Sequence, residues 1–336
     1  MPSAWRQLMC TGTLPCGRIG HSLTTNTEED TVYLYGGSLN RDNSDGCQYL
    51  QDFFAFDFPT KEWRQVPVSG GSLTTNTEED TVYLYGGSLN RDNSDGCQYL
   101  QDFFAFDFPT KEWRQVPVSG GDNLVPLALG FHTAVYYGER IHIFGGCNGR
   151  DRFNTLFSIS PQGVCSLYTS PSATSKIPPT RYLHSATLFE GCMYIFAGKC
   201  GGRSSNKRLK DMFAFNFGKK RWKEIEQFGA DVPARSSHTA VTCGRRMVMF
   251  GGRDTEGECC EDLFQFSYDT HYWTKVDPSH GPLLGRARHS FVVHHGKIVI
   301  FGGWNGRKKL DDLLLLDSET SEVVVDQGGM RPCRRE

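Results

Sequence analysis

Along this chain hydrophobic positions come in short bursts, not in the long three-to-four spacing of amphipathic helices. The bursts are rich in Val, Ile, Tyr and Phe and are divided by clusters of Gly, Asn, Asp, Ser and Pro, which predicts short β-strands joined by tight turns. Six of them end in a doublet of small residues: Tyr33-Leu-Tyr-Gly-Gly37, Tyr83-Leu-Tyr-Gly-Gly87, His142-Ile-Phe-Gly-Gly146, Tyr194-Ile-Phe-Ala-Gly198, Val248-Met-Phe-Gly-Gly252 and Val299-Ile-Phe-Gly-Gly303. The doublets begin at 36, 86, 145, 197, 251 and 302, in steps of 50, 59, 52, 54 and 51. A period of this size marks a repeat architecture, in which no single unit can bury its own apolar surface.

Each unit carries further pieces in fixed order. Before the doublet stands R-x-x-H-[ST]: Arg18 with His21-Ser22, Arg181 with His184-Ser185, Arg235 with His238-Thr239, and Arg286 with His289-Ser290. After it comes an acid heading an apolar run: Asp52-Phe-Phe-Ala-Phe56, Asp102 to Phe106, Asp211-Met-Phe-Ala-Phe215, Asp262-Leu-Phe-Gln-Phe266 and Asp312-Leu-Leu-Leu-Leu316. A Trp strand closes most units: Trp63-Arg-Gln-Val66, Trp113 to Val116, Trp222-Lys-Glu-Ile225 and Trp273-Thr-Lys-Val276. Four β-prone segments per period predict a four-stranded sheet, and the continuous apolarity of the third predicts burial on both faces.

These motifs resemble the kelch-repeat family over residues 4–327, in a form more similar to the host-cell-factor and Rab-effector kind than to the BTB-kelch kind. No BTB or BACK sequence lies within the chain, so the resemblance does not imply a ubiquitin-ligase adaptor. It implies an all-β propeller of about six four-stranded blades in one domain, 1–336. The blades fall at about 18–67, 68–117, 128–170, 181–226, 235–277 and 286–327, with 1–17 as closing strand and linker. Blade 3 departs from the pattern: Gly130-Phe-His132-Thr133 lacks the Arg, and Cys165-Ser-Leu replaces the Trp strand. Blade 6 has Glu322-Val-Val-Val325 in place of Trp. Trp5-Arg-Gln-Leu8 nearly copies Trp63 to Val66, so it is expected to complete blade 6, in competition with Glu322 to Asp326.

Residues 22–71 and 72–121 are identical at all 50 positions. The second copy has Val68 and Gly71 where Arg18 and His21 stand in the first, and its Trp-to-hydroxyl link, Trp63 to Ser72, is 9 residues, against 17 for Trp5–Ser22, Trp222–Thr239 and Trp273–Ser290 and 20 for Trp113–Thr133. Three strand spacings are about 14 Å, and five extended residues reach roughly 16–18 Å, so that link is taut. Equal burial is expected for Phe103, Phe104 and Phe106 and for Phe53, Phe54 and Phe56, with blade 2 the least stable blade.

Charge adds little: 36 basic and 38 acidic residues leave −2, which gives no reason to expect a nucleic-acid or membrane partner. No apolar run is long enough to span a bilayer, and the first residues hold no secretory apolar stretch. The 12 cysteines form no C-x-x-C pair and there is no N-x-[ST] sequon, so reduced thiols and a cytosolic or nuclear location are expected.

Two sets of residues are candidates for chemistry. The recurring Arg18, His21, His132, Arg181, His184, Arg235, His238, Arg286 and His289 suit a structural role, because an active site needs a unique constellation. The loops after the doublets hold Arg41, Arg91, Arg150, Arg203, Arg253 and Arg307, with Trp304 in the last; the resemblance implies that they open on one face around the channel. Blade 4's loop adds Lys199, Lys207, Arg208 and Lys210. Arginines beside an exposed aromatic suit a carboxylate- or phosphate-bearing partner, although solvated loops are ordinarily charged and Asp42, Asp45, Asp151 and Glu256 dilute this field. Some kelch proteins carry an E-x-x-x-D-x-x-x-H iron motif, but here Glu258 and Asp262 are followed by Phe266. The expectation is a non-enzymatic scaffold binding a protein or peptide, with no cofactor or metal. The alternative is a metal-dependent or redox enzyme on the same scaffold.

Overall fold

Each repeat folds into its own antiparallel sheet. The computed structural model describes residues 5–39, 49–67, 73–75, 81–90, 97–120, 127–168, 176–201, 207–277 and 283–317; Arg41, Arg91, Arg203, the link 68–72 and Glu322 to Asp326 lie outside them. Blade 1 runs Ser22–Asn26, Thr31–Ser38, Tyr49–Asp57, Glu62–Val66, and blade 2 Leu73–Thr75, Thr81–Tyr85, Phe103–Asp107, Glu112–Gln115. Blade 3 runs Thr133–Tyr137, Arg140–Phe144, Leu156–Ile159, Val164–Leu167, and blade 4 Ser185–Phe189, Cys192–Phe196, Met212–Asn216, Arg221–Ile225. Blade 5 runs Thr239–Cys243, Arg246–Phe250, Leu263–Ser267, Tyr272–Val276, and blade 6 Ser290–His294, Lys297–Phe301, Leu313–Asp317. The innermost strands stand side by side in ring order, blade 6 against blade 1 included, which makes a six-bladed β-propeller. Among the described residues there is no helix, and so none long and apolar enough to cross a membrane.

The apolar core is divided into six wedges, each between two adjacent blades. Its most regular member is the outer-strand Trp, which reaches the aromatic preceding the doublet of the blade before. Trp63 meets Phe301 at 5.6 Å, Trp113 meets Tyr35 at 6.0 Å, Trp222 meets Phe144 at 4.9 Å and Trp273 meets Phe196 at 5.1 Å between ring centroids. Such pairs contribute about 0.5–1.5 kcal/mol each beyond their buried area. The outer strand is therefore a tie between blades.

Blade 6 obtains its fourth strand from the other end of the chain. Arg6 and Gln7 pair antiparallel with Leu315 and Leu314, and Trp5 is buried, its ring 6.3 Å from Phe250 of blade 5. Trp5 thus makes at blade 6 the contact that Trp63 makes at blade 1.

Four strands per blade is one short for three of them. Thr11–Gly12, Ser119–Gly120 and Phe228–Gly229 lie parallel along the outer strands of blades 1, 3 and 5. These links cover an otherwise open edge before crossing to the axis. Gly229 has φ +85, and a Cβ there would stand 2.3 Å from Trp273 O, so the approach requires glycine.

The two identical copies are not buried identically. Phe53, Phe54 and Phe56 are all buried, as are Phe103 and Phe106, but Phe104 is only half-buried, which corrects the expectation of equal burial. The cause is the missing arginine. Arg18 lies over the Phe54 ring at 5.3 Å, as Arg181 lies over Phe213 and Arg235 over Phe264. In sequence copy two has Val68 at that motif position, and among the described residues no guanidinium lies over Phe104. We predict that in native-state hydrogen exchange the Phe103–Asp107 amides open before those of Leu263–Ser267. Equal protection of the two strands would show that the arginine is dispensable to a blade.

Candidate functional site

The motif arginines bury completely and each makes the same set of bonds. Arg18, Arg181, Arg235 and Arg286 are 0% exposed. Their Nη1 atoms donate to the first doublet carbonyl: Gly36 at 3.0 Å, Ala197 at 2.9 Å, Gly251 at 2.9 Å and Gly302 at 3.0 Å. Nη1 and Nη2 together grip the third-strand carboxylate, Asp52, Asp211, Asp262 or Asp312, and Nε donates to the carbonyl two residues back. One planar cation thereby ties the second and third strands of its blade to the link that enters it. Blade 3 has neither half, with buried Leu129 and half-buried Thr155 at the two positions.

The same segment ties blade to blade. The second doublet residue donates to the motif-arginine carbonyl of the next blade: Gly146 to Arg181, Gly198 to Arg235, Gly252 to Arg286 and Gly303 to Arg18, at 2.8–2.9 Å. It must be glycine, since at Gly252 a Cβ would lie 2.8 Å from His238 Cβ at φ +97. The motif hydroxyl bonds the next histidine: Thr133 with His184 at 2.7 Å, Ser185 with His238 at 2.8 Å and Thr239 with His289 at 2.6 Å. At the closing seam Ser290 Oγ donates instead to His21 O, and His21 Nε2 bonds Phe301 O. The residue before each motif histidine takes a left-handed φ and donates to its counterpart in the preceding blade: Leu183 to Phe131, Ser237 to Leu183, Arg288 to Ser237 and Gly20 to Arg288. This backbone ring frames the channel.

On it stands a cluster of cations. Lys199 and Arg253 follow their doublets directly and bridge to Tyr182 and Ser236, Arg208 pairs across from Lys199, and Arg288 belongs to the ring itself. Lys199 is half-buried, and its ammonium is held below the usual lysine range first by that burial and then by Arg208, Arg288, Arg253 and Arg152 around it. Arg152 is propped over the Tyr182 ring at 4.8 Å and Arg288 over Phe131 at 5.7 Å. Among the described residues none of Arg152, Lys199, Arg208 and Arg253 forms an ion pair.

Of the loop arginines anticipated from sequence, Arg253 joins this cluster. Arg150 and Arg307 sit exposed at loop tips behind Asn148 and Asn305, whose side chains accept the turn amides. Trp304, anticipated as an exposed aromatic, is only 9% exposed, because its backbone bridges to Ala287 and Lys309 and draws it under the loop. Arg152 and Arg288 were not anticipated. The signal for Arg288 is the variable position before the motif histidine, which reads Gly20, Phe131, Leu183, Ser237, Arg288.

Known proteins give this geometry a context. A family model described as the KLHDC2/KLHL20/DRC7 Kelch-repeats domain matches residues 69–229 and 184–336. The chain is 27% identical over 210 residues to the leucine-zipper-like transcriptional regulator 1 homolog of Drosophila melanogaster, covering 57% of this chain and 21% of that protein. It is 27% identical over 231 residues to kelch domain-containing protein 3 of Rattus norvegicus, covering 63% and 58%. With the flagellar outer-arm dynein alpha chain of Chlamydomonas reinhardtii it shares 27% identity over 204 residues, covering 55% and 4%. The chain spans less than two thirds of each of these relatives.

The buried histidines make the ring sensitive to acid. Burial, then the neighbouring motif arginine, pushes His21 and His238 down to about 3 and His184 and His289 well below their ordinary value; burial takes His132 and His142 to about 4. All six are neutral in the fold and take up protons near pH 6.5 once unfolded, so their contribution is complete above pH 6.5 and is lost as pH falls toward 3–4. Each costs up to about 1.4 kcal/mol per pH unit in that window. The urea midpoint should therefore fall steeply from pH 7.5 to pH 5, and less steeply in His142→Gln. A midpoint flat over that range would contradict the burial of these rings.

Proposed function

The chain belongs to the KLHDC2/KLHL20/DRC7 Kelch-repeats domain family, and from that premise we propose that it is a non-enzymatic protein-interaction scaffold whose loop face takes an acidic peptide or acidic protein segment. The observation that carries this reading is the convergence of Arg152, Lys199, Arg208, Arg253 and Arg288 at the channel mouth, around a lysine already held below its usual range. Like charges brought together and partly desolvated favour an anion that neutralises them. Guanidinium groups also match carboxylates in a bidentate fork. The aromatic props fix the guanidiniums before binding, which lowers the ordering cost of association. The basic area is small: Asp254 directly follows Arg253, and its carboxylate accepts the Glu256 and Glu258 amides. That border favours a short acidic segment over a nucleic-acid backbone, which needs an extended basic track.

A labelled glutamate-rich peptide should bind the intact chain, and its affinity should weaken as salt rises from 50 to 300 mM. Lys199→Glu or Arg253→Glu should lower affinity by about tenfold or more, whereas Arg221→Glu on an outer strand should leave it unchanged. Fluorescence anisotropy reads each of these. Equal affinity for a lysine-rich peptide, or no effect of the two axial substitutions, would reject this face as the site.

A further inference from the structure

We propose that Asp30, His294 and His295 form a divalent transition-metal site of the zinc class that clasps blade 6 to blade 1 across the closing seam. Among the described residues they are the one set of three His, Cys, Asp or Glu side chains whose ligand atoms all lie within 4.8 Å of one another. His294 Nε2 lies 2.7 Å and His295 Nε2 3.5 Å from the same oxygen, Asp30 Oδ1. Two imidazoles and one carboxylate are a nitrogen-oxygen donor set that suits zinc and its neighbours and not calcium or magnesium. Donors about 2.0–2.2 Å from a tetrahedral ion stand roughly 3.3 Å apart, so only small side-chain rotations separate the present spacing from ligation. Three protein ligands leave one position for water.

The site is held from both sides. Asp30 ends the first hairpin of blade 1 at φ +50, and its carbonyl accepts the Phe58 amide. His294 ends the innermost strand of blade 6, is 3% exposed, and stacks on Phe58 at 4.5 Å with the rings 12° apart. His295 follows in the turn at φ +46 and is half exposed, as is Asp30, so an ion can enter from solvent.

Comparison of the interfaces shows what is special here. The position of His294 is held by Tyr137 in blade 3 and Phe189 in blade 4, each stacked on the next blade's aromatic, Phe217 at 4.7 Å and Tyr268 at 4.2 Å. The turn position of His295 is held in blade 4 by Glu190, which pairs with Arg245 of blade 5. Blade 6 keeps the stack and the cross-blade pair but makes both from imidazoles, aimed at one carboxylate. It does so at the seam where the ring is closed by a strand from the other terminus. Sequence spacing could not show this, because Asp30 and His294 are 264 positions apart.

The test is equilibrium dialysis of the full chain against zinc chloride with metal counted by mass spectrometry, alongside thermal melts with and without zinc. The wild-type chain should retain one zinc per chain and melt higher in its presence, since an ion bound only by the folded state stabilises it. His295→Ala and Asp30→Asn, both at exposed positions, should melt as wild type without zinc, lose the bound equivalent and show no zinc-dependent rise. Cobalt should give visible d–d absorption in wild type alone. No retained metal in wild type, or zinc kept equally by both variants and hence held by thiols elsewhere, would overturn the proposal.

Discussion

The guanidinium of the motif arginine sits where the doublet carbonyl and the third-strand aspartate converge, and much of the molecule depends on its staying there. With Arg18, Arg181, Arg235 and Arg286 at 0% exposure, every bond they lose would leave an unsatisfied buried charge. Breaking such a pair by removing one partner costs about 3–5 kcal/mol, whereas replacing both halves with apolar groups can be neutral. Blade 3 follows the second route, with Leu129 and Thr155. Blade 2 keeps Asp102 without an arginine, and Gln115 Nε2 donates to that carboxylate at 3.3 Å instead.

From that contact the ring follows. Once the arginine side chain fixes its own doublet, its carbonyl is set to receive the doublet of the preceding blade, and the histidine three residues later receives a hydroxyl from the same neighbour. The motif therefore works within a blade through its side chain and between blades through its backbone. The loops that follow the doublets inherit fixed starting points, which is how Lys199 and Arg253 come to share one mouth with Arg288.

Much of this was legible before any coordinates. The doublet period, the Trp strands and the near-copy of Trp63 to Val66 at Trp5 to Leu8 are local patterns, and local patterns repeat when the physical requirement repeats. What escaped was relational. That Phe104 is less buried than Phe54 depends on a residue missing elsewhere, and that Trp304 is covered depends on its strand bridges. The parallel edge strands are two residues long and carry no apolar period, so only Gly12 and Gly229, both at positive φ, marked them. Arg152 and Arg288 are ordinary surface residues in sequence, and join Lys199, Arg208 and Arg253 through the ring alone.

The buried pair, not the mere presence of charge, organises a blade. A double-mutant cycle on Arg235 and Asp262, measured by urea unfolding and set against the exposed pair Arg245 and Asp269 of the same blade, tests it directly. We predict a coupling of about 3 kcal/mol for the buried pair, a much smaller one for the exposed pair, and recovery of most of the loss in Arg235→Leu/Asp262→Thr, the combination blade 3 already carries. A buried-pair coupling no larger than that of Arg245 and Asp269 would contradict it.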